Sequence, residues 1–260
     1  MAAGCEETIE ITDAAYVERL VVHGIMQPGS PVDITISRTL PINQPYSDAS
    51  AQLTDVAATI TVEDAATGAQ LETVSLVHST KGHYHAPSMS VESGRRYRFS
   101  ASWRGKSVSA STVVPQIAQV DTLDLFPVIR DYTDFKDTML YMRAVVRARA
   151  GEVYLLTTAD VDPRSGEMVI YNTYGEVPAG RMRDATPGGH IVLLERGYRS
   201  TTPTIAVVIS YDEPYYDFQQ TYYSWKENGP FSTGSDNVRW TVEGDGIGLF
   251  IGRAVIERRL

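Results

Sequence analysis

Several stretches of this chain hold residue types whose spacing bears on chemistry. Trp103-Arg104-Gly105-Lys106-Ser107 contains the Gly-Lys-Ser of a phosphate loop. Such a loop needs another glycine five positions before Gly105 and a helix behind the serine. Ser100 stands at the first place and a strand pattern follows, so the segment reads as a hairpin turn. Gly244-Asp245-Gly246-Ile247-Gly248 has dinucleotide-loop spacing, yet the following residues read as a strand where a βαβ unit needs a helix. These glycines are expected to make a tight turn or bulge. His78, His83 and His85 cluster, and two residues of separation place His83 and His85 on one strand face, as metal sites on sheets require. With no acidic residue nearby in sequence, they read as a turn at Lys81-Gly82 and an exposed strand end. No metal or other cofactor is expected. Asp121, Asp124, Asp131, Asp134 and Asp137 surround Tyr132 and Phe135. Paired carboxylates serve glycoside hydrolysis, but a charge run is more often a solvated linker. Gly-X-Ser-X-Gly and His-Glu-X-X-His are both absent, and the only cysteine is Cys5. The expectation is a protein without catalytic activity.

The aromatic segment is the best binding candidate. Tyr215, Phe218, Tyr222 and Trp225 follow one another at helical offsets, which makes one helix face. Tyr216 and Tyr223 lie on another face and are expected to be partly exposed. Tyr215, Tyr216, Tyr222, Tyr223 and Trp225, with Phe231 in the flanking loop, are the candidate partner- or ligand-binding residues, since Tyr and Trp dominate interface energetics.

The elements that must position these residues are mostly strands. Val32, Ile34 and Ile36 alternate with polar residues, as do Val56, Ala58, Ile60 and Val62. Tyr97, Phe99, Ala101 and Trp103 are answered by Val108, Ala110, Thr112 and Val114 across Arg104-Gly105. Each run is a strand with one buried and one wet face. Further strands are expected over 119–126, 138–149, 152–159, 167–174, 190–195, 203–211 and 247–257. Asp212-Glu213-Pro214 offers an acidic cap and a first-turn proline, and Asn228-Gly229-Pro230 a stop, so one helix lies between. The fold class is all-β. An immunoglobulin-like sandwich over 16–118 precedes a barrel or second sandwich over 119–260 with one short helix. A net charge of −9 repels phosphate backbones, which argues against a nucleic-acid partner. No apolar run is long enough to span a bilayer as a helix, so a membrane link must come through lipid.

Cys5 supplies the place for that lipid. Ala2-Ala3-Gly4-Cys5-Glu6-Glu7 looks like the processed end of a bacterial lipoprotein, cut just before the modified cysteine, so residues 1–15 are expected to be a lipidated lead segment. From Cys5-Glu6-Glu7 onward the chain resembles a family of Bacteroidota surface lipoproteins catalogued as domain of unknown function 4249. The resemblance continues through Leu20-Val21-Val22-His23-Gly24, Ile34-Thr35-Ile36-Ser37-Arg38-Thr39, Val62-Glu63-Asp64-Ala65 and Gly82-His83-Tyr84. It extends over Gly94-Arg95-Arg96-Tyr97, Ser109-Ala110-Ser111-Thr112-Val113-Val114-Pro115 and Gly246-Ile247-Gly248-Leu249-Phe250. No catalytic residues come with it. It implies an outer-membrane lipoprotein exposed at the cell surface, working beside a TonB-dependent transporter. An adhesion or glycan-binding module using exposed aromatic residues is the alternative.

Overall fold

The period-two runs become strands because each can bury one row of side chains while the other stays wet. The computed structural model describes residues 16–131, 136–161, 168–171, 189–198, 205–228 and 237–260. In chain order these give β1 (Leu20–Met26), β2 (Pro31–Arg38), the single turn α1 (Asp48–Ala51), β3 (Ala57–Asp64), β4 (Gln70–Ser75), β5 (Val77–His78), β6 (His83–Ser90), β7 (Arg95–Trp103) and β8 (Lys106–Val113). There follow β9 (Gln119–Asp131), β10 (Lys136–Arg147), β11 (Glu152–Val161), β12 (Met168–Tyr171), β13 (His190–Tyr198), β14 (Ile205–Asp212), α2 (Glu213–Asn228), β15 (Val242–Gly244) and β16 (Gly246–Arg259). Among the described residues the protein is all-β apart from α1 and α2.

Three sheets result. One has eight strands in the order β12-β11-β14-β16-β1-β2-β6-β5, one has five in the order β15-β8-β7-β3-β4, and one has three in the order β13-β10-β9. They do not close into a barrel; the architecture is of packed sheets. The five-stranded sheet covers the β1-β2-β6 part of the long sheet. Their facing rows, among them Leu20, Val22, Ile34, Ile36, Ile60, Tyr97 and Phe99, make the first core. The three-stranded sheet covers β11 and β14, where Met142, Ala144, Val146, Leu193, Tyr154, Leu156 and Val208 make the second. The opposite face of β11 and β14 carries a third apolar cluster, Val153, Leu155, Val207, Ile209 and Tyr211, and α2 lies on it. Buried on both sides, β14 reads as an almost continuous apolar run.

The Gly-Lys-Ser segment is the hairpin turn between β7 and β8. Trp103 pairs with Lys106, and Arg104 and Gly105 take φ of 47° and 80°. Two positive values in a two-residue loop suit the right-handed twist of the strands it joins.

Gly244-Asp245-Gly246 moves the chain from one sheet to another. Gly244 ends β15, paired with Val108 of β8, and Gly246 begins β16, paired with Leu20 of β1. Asp245 fixes the crossing: its N–H donates to the Ser107 carbonyl at 2.8 Å, and its carboxylate accepts from the Ser107 N–H at 2.9 Å. β16 then serves two partners. Gly246–Gly252 run parallel to β1 on one side, and Arg253–Arg259 run antiparallel to β14 on the other. A cut of the chain at 118 therefore leaves Val242 and Phe250 on the far side from the first core that they help to fill.

Asp212, at the junction of β14 and α2, joins the two parts at a second point. Its carboxyl is buried and accepts a short hydrogen bond from the Thr112 hydroxyl of β8, while Oδ1 is buried with no hydrogen-bond partner among the described residues. Burial pushes this carboxyl from the usual 3.8 up to about 7, against the opposing hydrogen bonds from Thr112 and the Gly252 backbone. The unfolded chain loses the proton near 4 and the folded chain retains it to about 7. Stability is thus expected to fall as pH rises through that window, by up to about 4 kcal/mol, and then to level off. Urea unfolding from acid to mildly alkaline pH checks this; Asp212→Asn should remove that part of the slope and be the more stable form above pH ~7. Gly248 gives a second expectation. Its φ is 136° and an added Cβ would lie 1.9 Å from the Val22 carbonyl oxygen, so Gly248→Ala should cost more than about 2 kcal/mol in the same assay.

Candidate functional site

The outer face of the five-stranded sheet has hydroxyls where its inner face has the core. Thr61 of β3, Ser100 of β7, and Ser109 and Ser111 of β8 occupy the alternate positions that face away from Ile60, Phe99 and Ala110. Above this floor stand the first turn of α2 and the segment leading into β15. Between them is an open groove of about 960 Å³, lined also by Arg98, Glu213, Asp217, Arg239, Trp240 and Glu243.

The wall is held in place by named contacts. Thr221 of α2 is buried, and its hydroxyl accepts from the Arg239 N–H at 2.9 Å. The Thr241 hydroxyl accepts from the Phe250 N–H of β16 at 2.7 Å. Between these anchors the Trp240 ring leans on buried Phe218, with centroids 5.5 Å apart, and remains 39% exposed. Both cations of the groove are already engaged: Arg98 donates to Glu63 at 2.7 Å and Arg239 to Asp217 at 3.4 Å.

The aromatic residues of α2 divide differently from the sequence expectation. Tyr216 and Tyr223 are half-buried and pack with Tyr215 against the apolar cluster of β11, β14 and β16. Tyr215 stacks on Tyr211 at 4.2 Å, and burial raises the pKa of both hydroxyls. Phe218, Tyr222 and Trp225 form a stacked row, with 5.5 Å and 6.1 Å between successive rings, that starts beside Trp240. Trp225 is 39% exposed and Tyr222 half-buried. The sheet-facing side need not be the most apolar one, because a tyrosine ring can pack on the sheet while its hydroxyl finds a partner, as Tyr215 does in accepting from the Gln219 amide. Cys5 and Phe231 lie outside the described residues.

The three histidines are not brought together. His78 sits opposite Tyr84 on the core side, with ring centroids 5.3 Å apart, whereas His83 and His85 flank Tyr84 on the outer side. His83 Nδ1 lies 3.0 Å from an Asp33 carboxylate oxygen. Among the described residues no three His, Cys, Asp or Glu side chains converge on a point that would hold a metal ion. The acidic stretch is a strand and not the expected linker: Asp121, Asp124 and Asp131 lie on β9, paired along its length with β10. Asp124 meets Arg143 at 2.5 Å, Asp121 meets His190 at 2.9 Å, and Asp131 meets Lys136 at 3.2 Å. The hydrogen bond from Arg143 holds the Asp124 carboxyl below its usual range. Asp134, with Tyr132 and Phe135, lies outside the described residues.

Fold and site together define an all-β protein of packed sheets with an open, hydroxyl-floored groove beside an aromatic helix. It belongs to the family described as Domain of unknown function (DUF4249), whose model matches residues 6–258. No curated protein matches the chain.

Sequence reasoning passed over Trp240, Arg239 and the floor. The signal for the floor was present: Ser100, Ser102, Ser107, Ser109 and Ser111 occupy consecutive wet positions of one hairpin, an unbroken hydroxyl row where mixed charges are more usual. The division of α2 has a direct test by thermal unfolding. Tyr223→Ser should destabilise the protein by about 1–3 kcal/mol because the ring covers the β14 face, whereas Trp225→Ala at the exposed end of the row should cost under about 1 kcal/mol.

Proposed function

We propose that this protein is a lipid-anchored, cell-surface protein of the outer membrane that binds a polar ligand without transforming it and serves a TonB-dependent transporter as an accessory, substrate-handling partner. The observation that carries the reading is the open groove. It is concave, of ligand size, and floored by hydroxyls, with both arginines neutralised by ion pairs. Such a site can hold and release a polar molecule. The lead segment supports the anchor: Cys5 is preceded by small residues and followed by Glu6-Glu7, the arrangement that resembles surface-directed lipoproteins. One acyl chain holds a protein at a membrane only marginally, and a bacterial lipoprotein cysteine carries more than one. A second reading, an adhesion or glycan-binding module that works alone, is favoured by the exposure of Trp225 and Trp240.

Native outer membranes separate the two. The tagged protein, expressed with a native-type signal, should sediment with membranes and co-purify with a TonB-dependent transporter after mild cross-linking. Cys5→Ser should shift it to the soluble fraction and abolish that capture. Retention of Cys5→Ser in the membrane would sink the anchor; an anchored protein with no transporter beside it would leave the stand-alone module.

A further inference from the structure

We propose that the groove takes a neutral oligosaccharide, its sugar rings lying along the hydroxyl floor with one ring against Trp240. The inference rests on the reading of the groove as a ligand-capture site and names the class of ligand.

The floor determines what the ligand must offer. Thr61, Ser100, Ser109 and Ser111 belong to three adjacent strands, which run about 4.8 Å apart. Each hydroxyl can donate or accept, so the floor matches a ligand with many groups that also do both. Thr61 and Ser100 already share one hydrogen bond each with the Thr73 and Thr59 hydroxyls, at 3.0 and 2.7 Å, but an aliphatic ligand would cover the remaining bonding capacity of the floor without meeting it, which costs free energy. An anion meets Glu213, Asp217 and Glu243, while Arg98 and Arg239 are held by Glu63 and Asp217. A cation finds carboxylates only at the rim and leaves the floor unused. A neutral polyol satisfies floor and rim together.

The wall adds the second requirement. Trp240 presents an indole face that is 39% exposed and braced from behind by Phe218, so its position is set before any ligand arrives. A pyranose ring has hydroxyls around its rim and C–H groups on its faces. It can lay one face on the indole while its rim reaches the floor, which is how an amphipathic ring partitions between apolar and polar surroundings. Free Trp and Ser side chains spread over a surface would not select for this; here they converge on one hollow.

The shape indicates a chain and not a single sugar. The groove of about 960 Å³ continues into a neighbouring hollow of about 480 Å³, and both share Ser100, Ser109 and Glu243. The second hollow extends the floor with Thr59, Ser102 and Ser107. Thr59 and Ser100 already share a hydrogen bond of 2.7 Å, so the floor is ordered across the boundary between the hollows. The first hollow alone lies at the upper end of the usual ligand-site range of roughly 300–1,000 Å³.

Isothermal titration of the purified protein with short neutral gluco-, xylo- and manno-oligosaccharides tests this. At least one should bind, more tightly as the chain lengthens and with a change in tryptophan fluorescence. Trp240→Ala should weaken that binding by at least about tenfold, and Ser109→Tyr, which fills the shared floor, should abolish it. Both variants should keep a melting temperature close to the parent. Failure of every neutral oligosaccharide to bind, binding confined to charged saccharides, or binding untouched by Trp240→Ala and Ser109→Tyr would each overturn the assignment. Co-purification with a transporter alongside any of those results would leave the accessory role standing and remove only the sugar.

Discussion

At Gly248 the backbone of β16 comes so near β1 that a side chain has no place to go: a Cβ would lie 1.9 Å from the Val22 carbonyl oxygen. The same face of the strand meets β8 at Gly246, where the atom in the way is a Val108 methyl at 2.5 Å, and at Gly252, where it is the Val113 carbonyl at 2.9 Å. Phe250, the one large residue in this alternating row, faces the gap left by Gly24 on β1 and stacks on Phe99 at 5.6 Å. The long sheet is continuous only because β16 threads this space and then passes to β14. Position of α2, and with it the groove wall, follows from that strand through Thr241, Phe250 and the cluster under the helix.

With a single cysteine the chain has no internal disulfide, and its loops are fastened largely through tyrosine. Tyr84 is fully buried; its hydroxyl accepts from the Val56 N–H and donates to the Leu53 carbonyl, both at 3.0 Å. Tyr97 accepts from the Glu92 N–H at 2.7 Å. Tyr154 accepts from the Arg149 N–H at 3.1 Å and donates to Glu152 at 2.6 Å. In each case the ring belongs to a core and the hydroxyl ties down a backbone that would otherwise wander. This gives part of the physical meaning of 15 tyrosines against 6 phenylalanines. It also explains why tyrosine frequency was a poor guide to a binding surface, and why Tyr215, Tyr216 and Tyr223 lie against the sheet.

Strand identity was legible because alternation has only one cause in a half-buried sheet. Phe99 and Ala110 could be placed opposite each other from spacing across the turn alone. The Arg104-Gly105 turn was legible for the same local reason. What spacing could not reveal was non-local. Nothing in Leu20–Met26 announces that its neighbour is Gly246–Gly252, and nothing around Asp212 announces Thr112. The acidic row of β9 looked like a linker because its neutralising partners, Arg143, Lys136 and His190, sit on other strands. The groove was half legible: its serines stood in plain alternation, but Trp240 joins them only through the path of the chain back from α2.

The pairing of β1 with β16 also sets the order of events for a newly made chain. Arg253 donates to Gln27 across 226 positions, and the first sheet's parallel neighbour is supplied only once that length has emerged. Contacts so distant in sequence pay their loop-closure entropy before they return any packing, which makes such topologies slow to form. Until β16 docks, the edge of β1 has no partner on that side and Phe250 is missing from the core, so the leading half cannot complete itself during synthesis. The delay has a physical cost: until the closing strand arrives, the backbone groups along that edge of β1 can be satisfied only by water, and the leading half remains open to pairing with another chain.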